Sequence, residues 1–342
     1  MSTLQIQVSA PTDELLFLTR SVAVTSRTWV KNDVGTATIV VPYSHPKLRE
    51  LADYGNIIRI RERNSPTWVG QVVQREWDSA NGTVVLGCKS AEWILQKKIT
   101  GQGRIYAGNS GNSAGAVAYA IYDNAIRANS DLRQIKPGFF NVPKTAHREF
   151  NYADLFEALK DMADDYGADF WVDDNLKLHF TARGSDRRGV VVLREGRHLS
   201  GVRVTDSAEE MVTAVVGLGE GSNIQEKPKL LRKLTSTPFF RAEVLDINNV
   251  GSEEALRAPV EEKLIKDGQP KVTVDASVER INGSYGNFWI GDYITLITRH
   301  PFLRQVDAQV VGIERGTSDS MRAIFSALPS YRYMNIVPWS VV

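Results

Sequence analysis

The chain has 342 residues, 42% of them hydrophobic, enough for two to four domains of the usual ~100–200 residues, each with its own core. Its 41 basic and 40 acidic residues leave a formal charge of +1, which excludes the global positive excess of a protein held on nucleic acid by counterion release. The single cysteine, Cys88, excludes an intramolecular disulfide framework and a zinc site of the multi-cysteine kind. The N-terminus, Met1 to Val8, lacks the basic start and long apolar stretch of a signal peptide, and no window approaches the ~18 apolar residues of a spanning helix. The expectation is a soluble protein made in a cytoplasm, without a membrane anchor.

In chain order, the first hundred residues read as β. Strand patterns run over Leu4 to Val8, Ser21 to Val30, Ala37 to Val41, Asn56 to Arg63, Trp68 to Trp77 and Thr83 to Cys88, separated by Asn-Asp, Pro and Asn-Gly turn signals. Asn81-Gly82 between two Val-rich runs is the strongest hairpin signal. Ser44 to Tyr54 reads as a short helix with Leu48 and Leu51 on one face. From Gly101 the texture changes. A Gly/Asn/Ser loop precedes a helix carrying Val117, Ala120, Ile121 and Ala125 on one side, with Ser113 as its N-cap. A second helix spans about Tyr152 to Tyr166 and ends at Gly167, where a left-handed C-terminal residue is expected, and a hairpin from Ala168 to Phe180 follows. Strands are expected again at Val190 to Leu193, Leu199 to Val204 and Met211 to Val216, while residues 222–242 show no clear period. A helix from Glu253 to about Lys266 contains Pro259, which predicts a kink or a break into two shorter helices. Strands close the chain at Lys271 to Val278, Tyr293 to Ile297, Gln305 to Glu314 and Met321 to Ala327.

The two β ends resemble each other. Gly55-Asn-Ile-Ile-Arg-Ile60 followed by Gln71-Val-Val73 answers Gly291-Asp-Tyr-Ile-Thr-Leu296 followed by Gln309-Val-Val311, at offsets of 291 − 55 = 236 and 309 − 71 = 238. A connecting loop two residues longer accounts for the change in offset, although any two antiparallel hairpins share some of this pattern. With two similar domains per chain, three chains can close a ring of six.

Motifs for chemistry are weak. Gly217-Leu-Gly-Glu-Gly221 has the wrong spacing for a dinucleotide loop and no helix pattern after it, and Gly108 to Gly115 lacks the lysine and hydroxyl residue of a phosphate-binding loop. Acidic residues gather from Asp154 to Asp174, with Asp154, Glu157, Asp161 and Asp164 or Asp165 along one helix face; a solvated or interface-lining face is favoured over a divalent-ion site. His45, His147, His179, His198 and His300 fall in no metal or triad spacing, although His179 and Asp173 or Asp174 flank one hairpin turn. Cys88 lies on a strand, which favours a buried thiol over a nucleophile. Basic patches at Arg183 to Arg203 and Glu226 to Arg241 suit either complementary subunit surfaces or scattered solvated charge. No catalytic, cofactor-binding or metal-binding residue is assigned, and no enzyme activity is expected.

The order of four segments resembles the baseplate hub and tail-tip proteins of tailed bacteriophages and the hubs of contractile injection systems. These are the opening barrel, from Trp29 through Trp68-Val-Gly-Gln-Val-Val73 to Trp93; the helix followed by Gly167 to Phe180; Met211 to Gly219; and the closing barrel with Trp289-Ile-Gly-Asp-Tyr-Ile-Thr-Leu296. The resemblance implies a β-rich α+β fold with two tail-tube-like small β-barrels at the chain ends and an α/β insert between them. The expected domains are 1–100, first barrel; 101–182, α/β insert; 183–245, β-rich connecting region completing the barrels; and 246–342, second barrel with a C-terminal extension. It also implies a structural virion protein, a homotrimeric tail hub whose six barrels form a pseudo-sixfold ring that adapts the sixfold tail tube to a threefold tip. Implied partners are a distal tail protein or tail-tube ring, a tape-measure protein, tip or fibre proteins, and DNA only in transit through the channel. Assembly would take place in the host cytoplasm. The chain stops soon after the second barrel, unlike longer tail-tip proteins, so wall digestion would fall to another protein. The rival from the residues alone is a small-barrel binding module for single-stranded nucleic acid or carbohydrate. It uses Trp68 and Trp77 with Arg59, Arg61 and Arg63 on one exposed strand face.

Overall fold

The structure, a computed structural model, describes all residues except 1–3, 63–64, 101–103, 107–112, 130–131, 133, 147, 151, 183, 222–226, 235–239, 248–249, 280–286, 302, 317–319, 329–335 and 339–342. The opening β region comprises β1 (Gln5–Ser9), β2 (Leu15–Thr19), β3 (Ala23–Val30), β4 (Thr36–Pro42), a single helical turn α1 (Leu48–Leu51), β5 (Ile57–Arg61), β6 (Trp68–Asp78) and β7 (Thr83–Ser90). A 3-10 turn, Ala91–Leu95, leads on to β8 (Arg104–Tyr106), α2 (Ala114–Ala128), β9 (Lys136–Asn141), β10 (Arg148–Phe150), α3 (Leu155–Tyr166), β11 (Ala168–Val172) and β12 (Lys177–Ala182). Then come β13 (Val192–Arg194), β14 (Leu199–Ser207), β15 (Ala214–Leu218), β16 (Lys229–Leu234), β17 (Ala242–Asp246) and α4 (Glu253–Asp267). The chain ends with β18 (Lys271–Val278), β19 (Tyr293–Ile297), β20 (Gln305–Gly316), β21 (Met321–Ala327) and β22 (Ile336–Pro338).

Thirteen strands form one largely antiparallel sheet in the order β14-β18-β21-β20-β3-β4-β7-β6-β5-β1-β2, with β19 beside β20 and β13 beside β19. The β-rich class expected from the sequence holds. Among the described residues these pairings make an open order, so strand pairing within one chain does not itself close the two expected barrels.

The chain divides into two compact units: Met1–Gly201, Ala276–Thr295 and Gln309–Ile324 in the first, and Val202–Asp275, Leu296–Ala308 and Phe325–Val342 in the second. In the first unit, alternation places Ala37, Ile39 and Val41 of β4 and Val84, Leu86 and Cys88 of β7 on the buried face, where they pack with Ile6, Val8, Ile58, Ile60 and Val72. A second core lies between α2, α3 and the sheet β11-β12-β9. Helix α3 starts because the Asp154 carboxylate accepts the Phe156 and Glu157 N–H groups at 2.9 and 3.2 Å, and it stops at Gly167 with φ +67°. Its stripe of Leu155, Leu159 and Met162 is buried, and Phe156 meets Phe170 edge-on at 5.5 Å. Helix α2 is capped by Ser113, as expected, and buries Val117, Ile121, Tyr122 and Ala125. In the second unit the sheet β17-β15-β16-β22 packs Val215, Leu230 and Leu234 against Leu256, Val260 and Leu264 of α4.

Four local expectations are corrected. The helix expected over Ser44 to Tyr54 is the single turn Leu48–Leu51, with Leu51 buried and Leu48 partly buried against the same core. Of the two outcomes expected at Pro259, the break is corrected: α4 runs through it as one 15-residue helix, with buried Leu256, Val260 and Leu264 on both sides of the proline. Strand β15 begins at Ala214, not Met211, with Thr213 held by Arg241 instead. Strands β2, β8, β9, β10, β16, β17 and β22 lie outside the strands expected from the sequence.

Candidate functional site

The feature that stands out is the repetition of one β unit. The first repeat has strand order β3-β4-β7-β6-β5-β1 and the second has β14-β18-β21-β20-β19-β13, the same connectivity strand for strand. One polar interaction recurs in both. Gln71 Nε2 donates to the Gly55 carbonyl at 3.1 Å, and Gln309 Nε2 donates to the Gly291 carbonyl at 2.9 Å. Burial follows suit: Gln71 and Gln309, Val72 and Val310, Ile58 and Ile294, and Ile60 and Leu296 are all buried. A glutamine that ties the start of one strand to the middle of the next fixes their relative register in each repeat.

The repeats meet along a strand seam. Ser26–Val30 of β3 pairs antiparallel with Gly312–Gly316 of β20, from Ser26 opposite Gly316 to Val30 opposite Gly312, and Lys31 N–H donates to the Val311 carbonyl at 2.9 Å. This register sets Arg27 directly across from Arg315. Glu62 lies between them: its Oε2 takes the Arg27 Nη2 hydrogen bond and sits 3.4 Å from Arg315 Nη1. The side chains of Arg27, Glu62 and Arg315 are only 4%, 10% and 11% exposed. Burial, with the Arg315 charge second, pushes the Arg27 guanidinium down to about 10. The Arg27 guanidinium stacks 5.5 Å from the Trp29 ring, which meets Trp289 edge-on at 5.4 Å. Sequence reasoning missed this triad because Glu62 is 35 residues from Arg27 and 253 from Arg315, with no local spacing to mark it.

The residues weighed for chemistry take structural roles. Gly217 lies on β15, where an added Cβ would fall 2.5 Å from Val260 of α4, and the next described element is β16, not a helix. Gly115 is inside α2 against the Phe140 and Val142 backbone, and positions 107–112 of its loop lie outside the described residues. The acidic run is dispersed: Asp154 caps α3, Asp169 pairs with Lys31 at 3.2 Å, and the Asp174 carbonyl accepts from Arg59 at 2.7 Å. No group of three potential metal ligands occurs among the described residues.

His179 and Asp173 do come together, at 3.1 Å. Phe139 N–H donates to His179 Nδ1, so the imidazole carries its proton on Nε2 and donates to Asp173, while its ring stacks on Trp171 at 5.0 Å. Burial opposes ionisation of Asp173. Hydrogen bonds from the Lys177 and Asn175 N–H groups and from His179 outweigh it, and the carboxyl lies below the usual range. His45, His198 and His300 sit apart, and His147 lies outside the described residues. Burial pushes the Cys88 thiol up to about 12, as suits a core thiol.

The exposed basic strand is corrected. Arg59 is 3% exposed, bound to Asp13 at 2.6 Å, to Ser9 and to the Asp174 carbonyl, because β5 is covered on both faces. Trp68 is buried and donates to the Thr28 carbonyl; Trp77 is exposed, Arg61 is exposed, and Arg63 lies outside the described residues. The groove that a nucleic-acid module would need loses two of its named residues to the core.

Fold comparison defines the class first: this is the fold of phage tail proteins. The tail protein from Neisseria meningitidis MC58 superposes with a TM-score of 0.68 at 11% identity over 96% of this chain and 98% of that one. The 43 kDa tail protein of prophage MuSo2 from Shewanella oneidensis gives 0.67 at 12% identity over 95% and 98%. Prophage tail protein gp18 from Listeria monocytogenes EGD-e gives 0.64 at 15% identity over 94% of each chain. No curated protein matches the chain. The chain belongs to the Siphovirus ReqiPepy6 Gp37-like protein family, whose profile matches residues 19–229. The resemblance read from the sequence holds at the level of family and fold.

Proposed function

We propose that the chain is a structural virion protein of the tail, a homotrimeric hub that works by geometry and carries out no catalysis. Three chains supply six β repeats, arranged as a pseudo-sixfold ring under the sixfold tail tube, and the remaining domains lead to a threefold tip. The observation that carries this reading is the repetition within one chain of the same strand order and the same glutamine-to-glycine clip. Each repeat then acts as a tube-like barrel domain, at 1–100 and 246–342, with 101–182 as an α/β insert and 183–245 a connecting region that completes the second barrel through β13 and β14. A distal tail protein or tube ring would dock on one face, tip or fibre proteins on the other, and the tape-measure protein and DNA would use the channel. Assembly in the host cytoplasm precedes incorporation into the tail.

The test is the absolute mass of the purified chain by light scattering, with negative-stain images of the same fraction. A mass of three times 38.1 kDa and a ring-shaped view are expected. A stable dimer, or a particle without a central ring, overturns the reading.

A further inference from the structure

The seam between the repeats leaves the matching edge of each repeat open. In β6 the counterpart of Gly312–Gly316 is Gln74–Asp78, at the same offset of 238 that relates Gln71 to Gln309 (309 − 71 = 238). Strand β5 pairs with β6 only over Trp68–Gln71, so Gln74–Asp78 has β7 on one side and, among the described residues, no strand on the other. The counterpart of β3 in the second repeat is β14, and β14 ends the sheet order with one edge unpaired among the described residues. Unpaired edges of this length are hazards that proteins cover or close. The first carries Trp77 at 60% exposure.

We infer that β14 of one copy of this chain pairs antiparallel with Gln74–Asp78 of β6 in the next copy, repeating between chains the seam that β3 and β20 make within one. The inference rests on the trimeric reading above and deepens it by naming the edges that close the ring. The register follows by counting. Buried Ala37, Ile39 and Val41 of β4 answer buried Val274, Ala276 and Val278 of β18 at an offset of 274 − 37 = 237. Glu279 N–H donates to the His198 carbonyl, which sets Val278 opposite Leu199, both buried, and the left-handed Gly201 (φ +58°) shifts the register by one residue, as β3 and β4 shift between Val24 and Ser26. Asp275 then falls opposite Arg203, as its counterpart Thr38 falls opposite Ser26, and partly buried Val204 falls opposite buried Val274. Arg203, Val204 and Thr205 thus take the places of Ser26, Arg27 and Thr28. Across the new seam Val204 meets Trp77 where Arg27 meets Arg315, and the exposed indole gains an apolar neighbour. Thr205 meets Glu76 where Thr28 meets Glu314. The hydrogen bond from Lys31 to Val311 makes the Thr28–Glu314 type a non-hydrogen-bonded pair, whose Cα atoms approach to ~4.5 Å, within disulfide reach.

The experiment is oxidation of full-length Glu76→Cys/Thr205→Cys, read on non-reducing gels beside light scattering of the same sample. Cys88 is buried and does not interfere. The expected result is a dithiothreitol-reversible ladder that stops at three chains, with either single variant yielding nothing beyond a dimer. A trimeric mass without that ladder overturns the edge assignment and leaves the ring standing. A monomeric mass at tens of micromolar overturns the ring and the seam with it. As a second readout, Trp77→Ser should leave the chain folded, with an unchanged far-ultraviolet circular dichroism spectrum, and weaken trimer assembly at least tenfold; unchanged assembly counts against this edge.

Discussion

Replacing Glu62 with Gln tests the seam triad most directly. The substitution keeps a hydrogen-bond acceptor beside Arg27 and removes the one negative charge that Arg27 and Arg315 share. Even with Glu62 in place, burial and Arg315 push Arg27 down to about 10. That displacement from the ordinary guanidinium value is worth about 3 kcal/mol at 1.36 kcal/mol per decade. Without the carboxylate, two buried cations face each other across one strand pair, and breaking a buried ion pair costs about 3–5 kcal/mol. With a urea slope of about 3 kcal/mol per molar, the midpoint should fall by more than about 1 M. Tryptophan fluorescence suits the assay because Trp29 and Trp289 pack beside the triad. The loss should persist in 1 M NaCl, which screens surface pairs but not buried ones. Replacing all three residues together, Arg27→Met/Glu62→Leu/Arg315→Met, should recover most of it. A loss below about 0.5 kcal/mol, or one that disappears in salt, would refute the picture of a buried triad.

Other perturbations are equally specific. Burial pushes the Glu92 carboxyl above its ordinary range against hydrogen bonds from Ser90 and the Val172 N–H. The folded chain therefore binds that proton more tightly than the unfolded one, and the charged form costs stability above the raised folded value. Glu92→Gln should raise the melting midpoint at pH 8, with the gap closing as pH falls toward ~4.3; a gap that is constant with pH would contradict this. Gln71→Leu and Gln309→Leu should each cost about 1–2 kcal/mol by removing a donor from a glycine carbonyl, and chemical denaturation showing a loss in only one would break the equivalence of the repeats. Asp154→Ala should cost about 1–2 kcal/mol in the same assay, since its carboxylate caps α3 and also accepts from Lys97 N–H at 2.5 Å.

Legibility followed the physics of each element. Strands β4 and β7 bury every second residue, so their period is visible in the chain. Strand β2 has Leu15, Leu16 and Leu18 exposed in an unbroken apolar run, and β16 interleaves Lys and Arg with Leu, so neither shows period two. At Pro259 the local rule allowed a break into two helices, but packing on both sides held one. Arg59 shows the opposite failing: alternation assigns a face but cannot say that Asp13 and Asp174 cover it. The Gly…Gln spacing was readable because the same two residue types recur at nearly one offset. The Arg27–Glu62–Arg315 triad was not, because tertiary folding alone brings its members together.

The ladder between β3 and β20 is made of main-chain bonds, so it consults no side-chain alphabet. Its facing residues, Trp29 with Ile313 and Thr28 with Glu314, share no chemistry. Such a joint tolerates long drift, since the two halves of a chain can lose almost all family likeness to each other and still fit. The likeness of the two halves is sharpest where a side chain grips a carbonyl, as Gln71 and Gln309 do, with the recurring glycines and Val-Val pairs around it.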